Sequence, residues 1–183
     1  MKMQNGSVVK LAFFDVDGTL SAPQYPHENG RMDIGFTEDG WLTYCEKSGI
    51  HGYDFCRPLP PVRTFAEELH RAGTRLFVLS SCMHTNEHAA KTIFVQKHYP
   101  DLFEEFFYVL HDGEKIPLME KAARDAGVPL SSCMLVEDTY STLLKAYEAG
   151  ITAVHVANIV AGNVPAILHS STHDTGRPFH IRG

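Results

Sequence analysis

Asp15 and Asp17 close an apolar run in VKLAFFDVDGTL, residues 9–20, and place two carboxylates next to a glycine. Burying a lone ionised carboxylate costs so much that such groups pair, bind a cation or take up a proton. Two of them at the end of a buried segment therefore imply a cation or shared chemistry. Gly18 lets the backbone turn closely around whatever is bound. Taken alone, Asp17 and Gly18 would read more simply as a D-G turn after a strand.

Two more reactive sets follow apolar runs further along: Ser80 and Ser81 after RLFVL, and Glu137 and Asp138 after CMLV. Hydrolysis of a phosphate monoester is a reaction these residues could serve. Its obstacle is bringing an anionic nucleophile to an already anionic phosphorus, so a catalyst must cancel charge and align groups. Asp15 is suited to attack phosphorus and form an aspartyl phosphate, dividing one hard step into two. Asp17 is suited to protonate the leaving alkoxide and then deprotonate water. Several carboxylates around a dianionic phosphate make sense only with a divalent cation between them, and oxygen ligands with phosphate favour Mg²⁺. Asp15 and Asp138 are its expected carboxylate ligands, with the Asp17 carbonyl third and Glu137 in support, directly or through water.

Ser80 offers a hydroxyl and Ser81 a backbone N–H to phosphate oxygens, helped by the start of the following helix. Lys115, 22 residues before Glu137, supplies the ammonium the set otherwise lacks. A lone lysine before a helix is usually a solvated charge, and Ser-Ser after a strand usually begins a helix, so both assignments rest on their neighbours. His84 and His88 have i, i+4 spacing, which without a third ligand reads as an exposed helix face. Trp41, Tyr44 and Tyr53 either line a pocket or bury a flap, the commoner use of such area.

These side chains form one site only if strand ends converge. The apolar run at 9–14 reads as a strand buried on both faces, and RLFVL at 75–79, FFYVL at 106–110, CMLV at 133–136 and ITAVHV at 151–156 read as four more. Between them, Val62, Phe65, Ala66, Leu69 and Ala72 share a helical face after Pro60. A second helix runs from about Thr85 to His98 with Ala89, Ala90, Ile93, Phe94 and Lys97 along one side. Ile116, Met119, Ala122, Ala123 and Ala126 mark a third, and Leu143, Leu144 and Tyr147 a fourth. Alternating strands and helices define an α/β, Rossmann-like three-layer fold with a mainly parallel central sheet, in which ligands bind beyond the carboxyl ends of the strands. Residues 21–57 lose periodicity; Asp39-Gly40, between IGFTE and WLTYC, suggests a hairpin, so this insert reads as a flap or minimal cap. Residues 158–183 form a weakly periodic, His-bearing C-terminal extension.

With 183 residues and 44% hydrophobic content, 1–183 reads as a single domain burying roughly 70% of its unfolded surface. The formal charge of −6 provides no basic footprint for a stable nucleic-acid partner. No window approaches the ~20 apolar residues of a membrane span and residues 1–10 lack a secretory core, so the expectation is a cytoplasmic protein without a membrane partner. Cys45, Cys56, Cys82 and Cys133 are scattered, which favours reduced thiols over disulfides or zinc.

DVDGT, VLSS, Lys115 with Pro117, and VEDT, in that order over residues 8–156, resemble the four motifs of the haloacid dehalogenase (HAD) superfamily. The resemblance implies a phosphatase-like hydrolase acting on a small phosphorylated substrate. Asp15 would be the nucleophile and Asp17 the acid/base; Ser80 and Lys115 would bind phosphate beside Gly18, Thr19 and Ser81; Asp138 would be a metal ligand with Asp15, Asp17 and Glu137. The third motif reads EKIP where many relatives have K-P-x-P, so Lys121 is the alternative lysine. The short insert implies a small or absent cap, and oligomerisation stays open as a way to gain a lid. A phosphomutase or a non-catalytic Mg²⁺ or phosphate-binding module are the competing functions.

Overall fold

The computed structural model describes residues 8–163. β1, Leu11–Phe14, alternates between two cores: Ala12 and Phe14 face one, Leu11 and Phe13 the other. A strand with both faces covered must be apolar throughout, which is why LAFF is an unbroken run.

After β1 comes the insert. β2, Ser21–Ala22, precedes a short hairpin of β3, Tyr25–Pro26, and β4, Met32–Asp33; then α1, Glu38–Ser48, a 3₁₀ turn at Gly49–His51, and β5, Arg57–Pro58, which returns antiparallel to β2. The hairpin expected at Asp39-Gly40 is replaced by the first turn of α1. The Thr37 side chain accepts from the Gly40 N–H at 3.3 Å, and Glu38 and Asp39 stand at the positive end of the helix, so capping outweighs the turn preference of D-G. The hairpin lies earlier, closed by the His27 N–H to the Arg31 carbonyl at 2.8 Å.

The remaining elements alternate as expected: α2, Pro60–Arg71; β6, Arg75–Ser81; α3, Thr85–His98; β7, Glu105–Val109; α4, Lys115–Asp125; β8, Cys133–Glu137; α5, Tyr140–Glu148; β9, Thr152–His155; and α6, Val156–Val160. The five long strands form one parallel sheet in the order β7-β6-β1-β8-β9. α2, α3 and α6 pack on the core face containing Phe14, while α4 and α5 pack on the face containing Phe13. Each large apolar side chain buried there contributes about 1.5–3 kcal/mol before entropy is counted.

Three sequence expectations shift. The buried face of α3 is Glu87, Ala90, Lys91, Phe94 and Val95, whereas Ile93 and Lys97 are exposed. Hydrophobic periodicity overlooks the true face because two charged residues occupy it. In α5 Leu143 is buried, but Leu144 and Tyr147 face outward, and Thr142 and Ala146 fill the buried side. Asn158 lies inside α6 rather than beginning an extension; residues 164–183 of that segment lie outside the described residues.

Candidate active site

The register brings the reactive strand ends level. Phe14 pairs with Val78 of β6 and with Val136 of β8, so Asp15 emerges level with Leu79, one residue before Ser80, on one neighbour and with Glu137 on the other. The Asp15 N–H continues the ladder to the Val136 carbonyl at 3.0 Å, which aims its side chain from a fixed backbone.

Lys115, the first residue of α4, is buried and reaches these ends. Its Nζ donates to Asp15 Oδ1 at 3.0 Å, to Glu137 Oε2 at 2.7 Å, and stands 3.0 Å from Asp112 Oδ1. Lys121 instead pairs on the helix surface with Asp125, far along the same exposed face, so of the two lysines only Lys115 meets the acidic strand ends. Burial lowers the Lys115 pKa, but Asp15, Glu137 and Asp112 outweigh it and keep the ammonium charged well above its ordinary range. Burial raises the Asp15 pKa, and the neighbouring Asp17 adds to this while Lys115 opposes it. Glu137 is pushed up to about 8, by burial first and by Asp15 second, against the pull of Lys115. One ammonium is too little charge for these carboxylates.

One oxygen each from Asp15, Glu137 and Asp138 lies within 4.8 Å of the others, a hard-oxygen set of the kind Mg²⁺ or Ca²⁺ takes. The surplus of negative charge and this spacing fit a divalent cation. The Asp17 carboxylate is outside the cluster, so its expected contribution reduces to its backbone carbonyl. Gly18 has φ 71°, and a Cβ there would fall on the Asp138 carboxylate; the glycine is what lets β1 and β8 approach at this point.

Asp17 points instead toward the insert. Its Oδ1 accepts from the hydroxyls of Tyr25 at 2.9 Å and Tyr53 at 2.6 Å, and its Oδ2 lies 2.7 Å from Lys91 Nζ. Burial raises its pKa, yet Lys91 and the two tyrosines outweigh that and hold the carboxyl below the usual range. As held here, Asp17 is an ionised carboxylate whose oxygens are engaged by Lys91 and the two tyrosines.

Lys91 is the residue that sequence reasoning missed. It is buried on α3, bonded to Ser80 Oγ at 3.0 Å, to the Ser81 carbonyl at 2.6 Å and to Glu87 Oε1 at 2.8 Å. The Glu87–Lys91 spacing of one helical turn was its only signal in the sequence. Asp112 was missed as well; it accepts from Ser81 Oγ at 3.0 Å besides meeting Lys115. Ser80 is therefore buried against Lys91, while Ser81 faces the cavity. Thr19 is fully buried, its hydroxyl without a partner among the described residues. His84 accepts from the Asn86 N–H as the cap of α3, and His88 stacks on Tyr108.

A cavity of about 610 Å³ opens over this site, lined by Asp17, Gly18, Ser81, Asp112 and Asp138 on one side and by the insert on the other. Trp41 lines it, whereas Tyr44 and Tyr53 pack inside the insert, with the Tyr44 hydroxyl on the Gly52 carbonyl. All four cysteines are buried and free. No helix among the described residues is long and apolar enough to cross a membrane.

No protein-family profile matches this sequence, and no curated protein matches it. Solved structures do. A provisionally named phosphoglycolate phosphatase from Lactobacillus delbrueckii subsp. bulgaricus is 14% identical, with a TM-score of 0.57 over 89% of this chain and 100% of its own. A provisionally named haloacid dehalogenase-like hydrolase from Bacteroides fragilis is 16% identical, with a TM-score of 0.55 over 79% and 85% of the two chains. The 3-deoxy-D-manno-octulosonate 8-phosphate phosphatase from Moraxella catarrhalis, solved with magnesium, phosphate and its sugar, is 16% identical, with a TM-score of 0.52 over 80% and 67%. At such identities the likeness establishes the fold.

Proposed function

We propose that this chain, which has the fold of the haloacid dehalogenase-like hydrolases, is a Mg²⁺-dependent phosphatase of that superfamily that hydrolyses a small phosphate monoester through an aspartyl phosphate. The observation that carries the reading is Lys115, whose ammonium joins Asp15 at the end of β1 to Glu137 at the end of β8, beside the three-carboxylate cluster.

Asp15, Glu137 and Asp138 would hold the metal, which when bound neutralises phosphoryl oxygens and orients the ester. The Asp15 carboxylate attacks phosphorus, and the bond from phosphorus to the ester oxygen breaks. The leaving oxygen takes a proton from Asp17, which must first give up part of its hold on Lys91 and the tyrosines to carry one. Asp17, again a carboxylate, then takes a proton from water; the water oxygen attacks phosphorus, the Asp15–phosphorus bond breaks, and inorganic phosphate leaves. Lys115 offsets charge at the nucleophile throughout. A phosphomutase would need to keep water from its intermediate, and the exposed Ile34 and Leu110 at the cavity rim leave this one open.

Release of inorganic phosphate from 4-nitrophenyl phosphate, with and without Mg²⁺, tests the reading. The native protein should need the metal, and Asp15→Asn should lose on the order of 10³-fold or more. Activity untouched by that substitution would remove Asp15 as nucleophile, and no turnover of any ester would leave a non-catalytic binding module.

A further inference from the structure

The walls of the cavity, as distinct from its floor, carry information about what leaves when the phosphorus bond breaks. Tyr25, Phe36 and Trp41 form one wall, with Tyr25 and Trp41 edge to face at 4.9 Å between ring centres and Phe36 tilted against both. Ile34 at 77% exposure, Leu110 at 60% and Met83 at 39% stand around the mouth, from the insert and from the loops after β7 and β6. Large apolar side chains converging from three separate segments on one opening are a contact surface that water covers poorly.

The charge around the same space has one sign. Asp17, Glu87, Asp112 and Asp138 all line the cavity, and its lining among the described residues includes no lysine or arginine. The two ammonium groups beneath are already engaged: Lys91 by Asp17 and Glu87, Lys115 by Asp15, Asp112 and Glu137. His111, exposed, is the lone basic side chain in the lining. A phosphoryl group placed at Asp15 can draw on Lys115 and a metal. A second anionic group on the same substrate would meet four carboxylates and, among the basic side chains of the described lining, His111 alone.

We infer that the substrate is the monophosphate ester of a phenol or alcohol with a flat apolar face and no negative charge of its own, so that bisphosphates and phosphorylated carboxylic acids are poor substrates. The inference rests on the phosphatase reading for the position of the phosphate. The aromatic wall takes the leaving group by apolar contact, and the acidic lining rejects anionic competitors, since like charges brought together across a binding surface are strongly disfavoured.

The test compares 4-ethylphenyl phosphate with 4-(carboxymethyl)phenyl phosphate, whose leaving phenols differ in charge but little in acidity. With Mg²⁺ at pH 8, kcat/KM should favour the ethyl compound by on the order of tenfold or more. Leu110→Lys, which adds a cation at an exposed rim position, should bring the two within about threefold. Equal rates in the native protein, a preference for the carboxylate, or a gap unchanged in the variant would overturn the assignment. Binding gives a readout independent of turnover, because Trp41 is the chain's only tryptophan and lines the cavity. In Asp15→Asn, its fluorescence should report 4-ethylphenyl phosphate binding on the order of tenfold more tightly than ethyl phosphate or the carboxymethyl compound. If no ester turns over, the phosphatase reading fails while this binding order still decides the pocket's preference; equal affinities would sink it.

Discussion

The Tyr53 hydroxyl donates to Asp17 Oδ1 at 2.6 Å, joining the insert to the turn after β1 across 36 residues of sequence. Tyr25 donates to the same oxygen, so the rotamer of Asp17 is set by the segment that also forms the cavity wall. On the proposed roles, acid/base chemistry at Asp17 and substrate contact at the wall would be mechanically linked.

Tyr53→Phe removes one donor from an ionised carboxylate. Hydrogen bonds to charged groups contribute about 1.5–3 kcal/mol, so urea denaturation should show a loss in that range or below. The Asp17 pKa should rise toward that of an ordinary carboxyl, moving the acid limb of the kcat profile to higher pH. An unmoved limb would show that Asp17 is not the titrating group.

Lys91→Met leaves Glu87 and Asp17 without their ammonium. Removing one partner of a buried pair costs about 3–5 kcal/mol, with Glu87 the more buried of the two carboxylates. Lys91→Met/Glu87→Gln should recover part of that loss by thermal or urea unfolding, because the amide needs no counter-charge. If the double variant is no more stable than the single one, the pair is not coupled as drawn.

Glu137 contributes to the pH dependence of stability in the metal-free protein. Its folded pKa of about 8 lies above that of the unfolded chain, so the folded state binds the extra proton between pH ~4.5 and ~8. Stability is therefore highest at the acid end of that window and falls as pH rises through it, by at most ~1.4 kcal/mol per pH unit for one proton. A divalent cation bound at Glu137 would replace the proton. Millimolar Mg²⁺ should raise Tm more at pH 8 than at pH 6; an equal or reversed increment would exclude Glu137 from the metal's surroundings.

Gly18→Ala places a methyl on the Asp138 carboxylate at a positive-φ position. Mg²⁺ affinity by titration calorimetry should weaken by on the order of tenfold or more, with fold stability lowered by about 1 kcal/mol or more. An unaltered affinity would mean that Asp138 is not a ligand.

Lys115→Met should abolish phosphate release, whereas Lys121→Met should leave it unchanged and shift stability by less than about 0.5 kcal/mol, since its pair with Asp125 is exposed. Loss of turnover in the Lys121 variant instead would reverse the assignment.

The sheet was legible in the sequence because a parallel strand covered on both faces has to be an unbroken apolar run, and LAFF, RLFVL and CMLV are such runs. Carboxylates placed directly after those runs marked the strand ends, and with them Asp15, Glu137 and Asp138, whereas Lys115 was indicated by the missing ammonium and the motif resemblance, with Lys121 as the alternative. Hydrophobic periodicity has no term for a buried charge, so it turned α3 onto Ile93 and away from Glu87 and Lys91, whose burial is tolerable only because Asp17 and Ser80 arrive from other strands. Local preference likewise favoured a turn at Asp39-Gly40, where Thr37 and the packing of Trp41 and Tyr44 on Tyr25 make a helix. Chain chemistry alone determined which strand ends carry reactive groups. Tertiary contact decided which cations meet them and where Asp17 points, because the cost of burying a polar group depends on partners that lie far away along the chain.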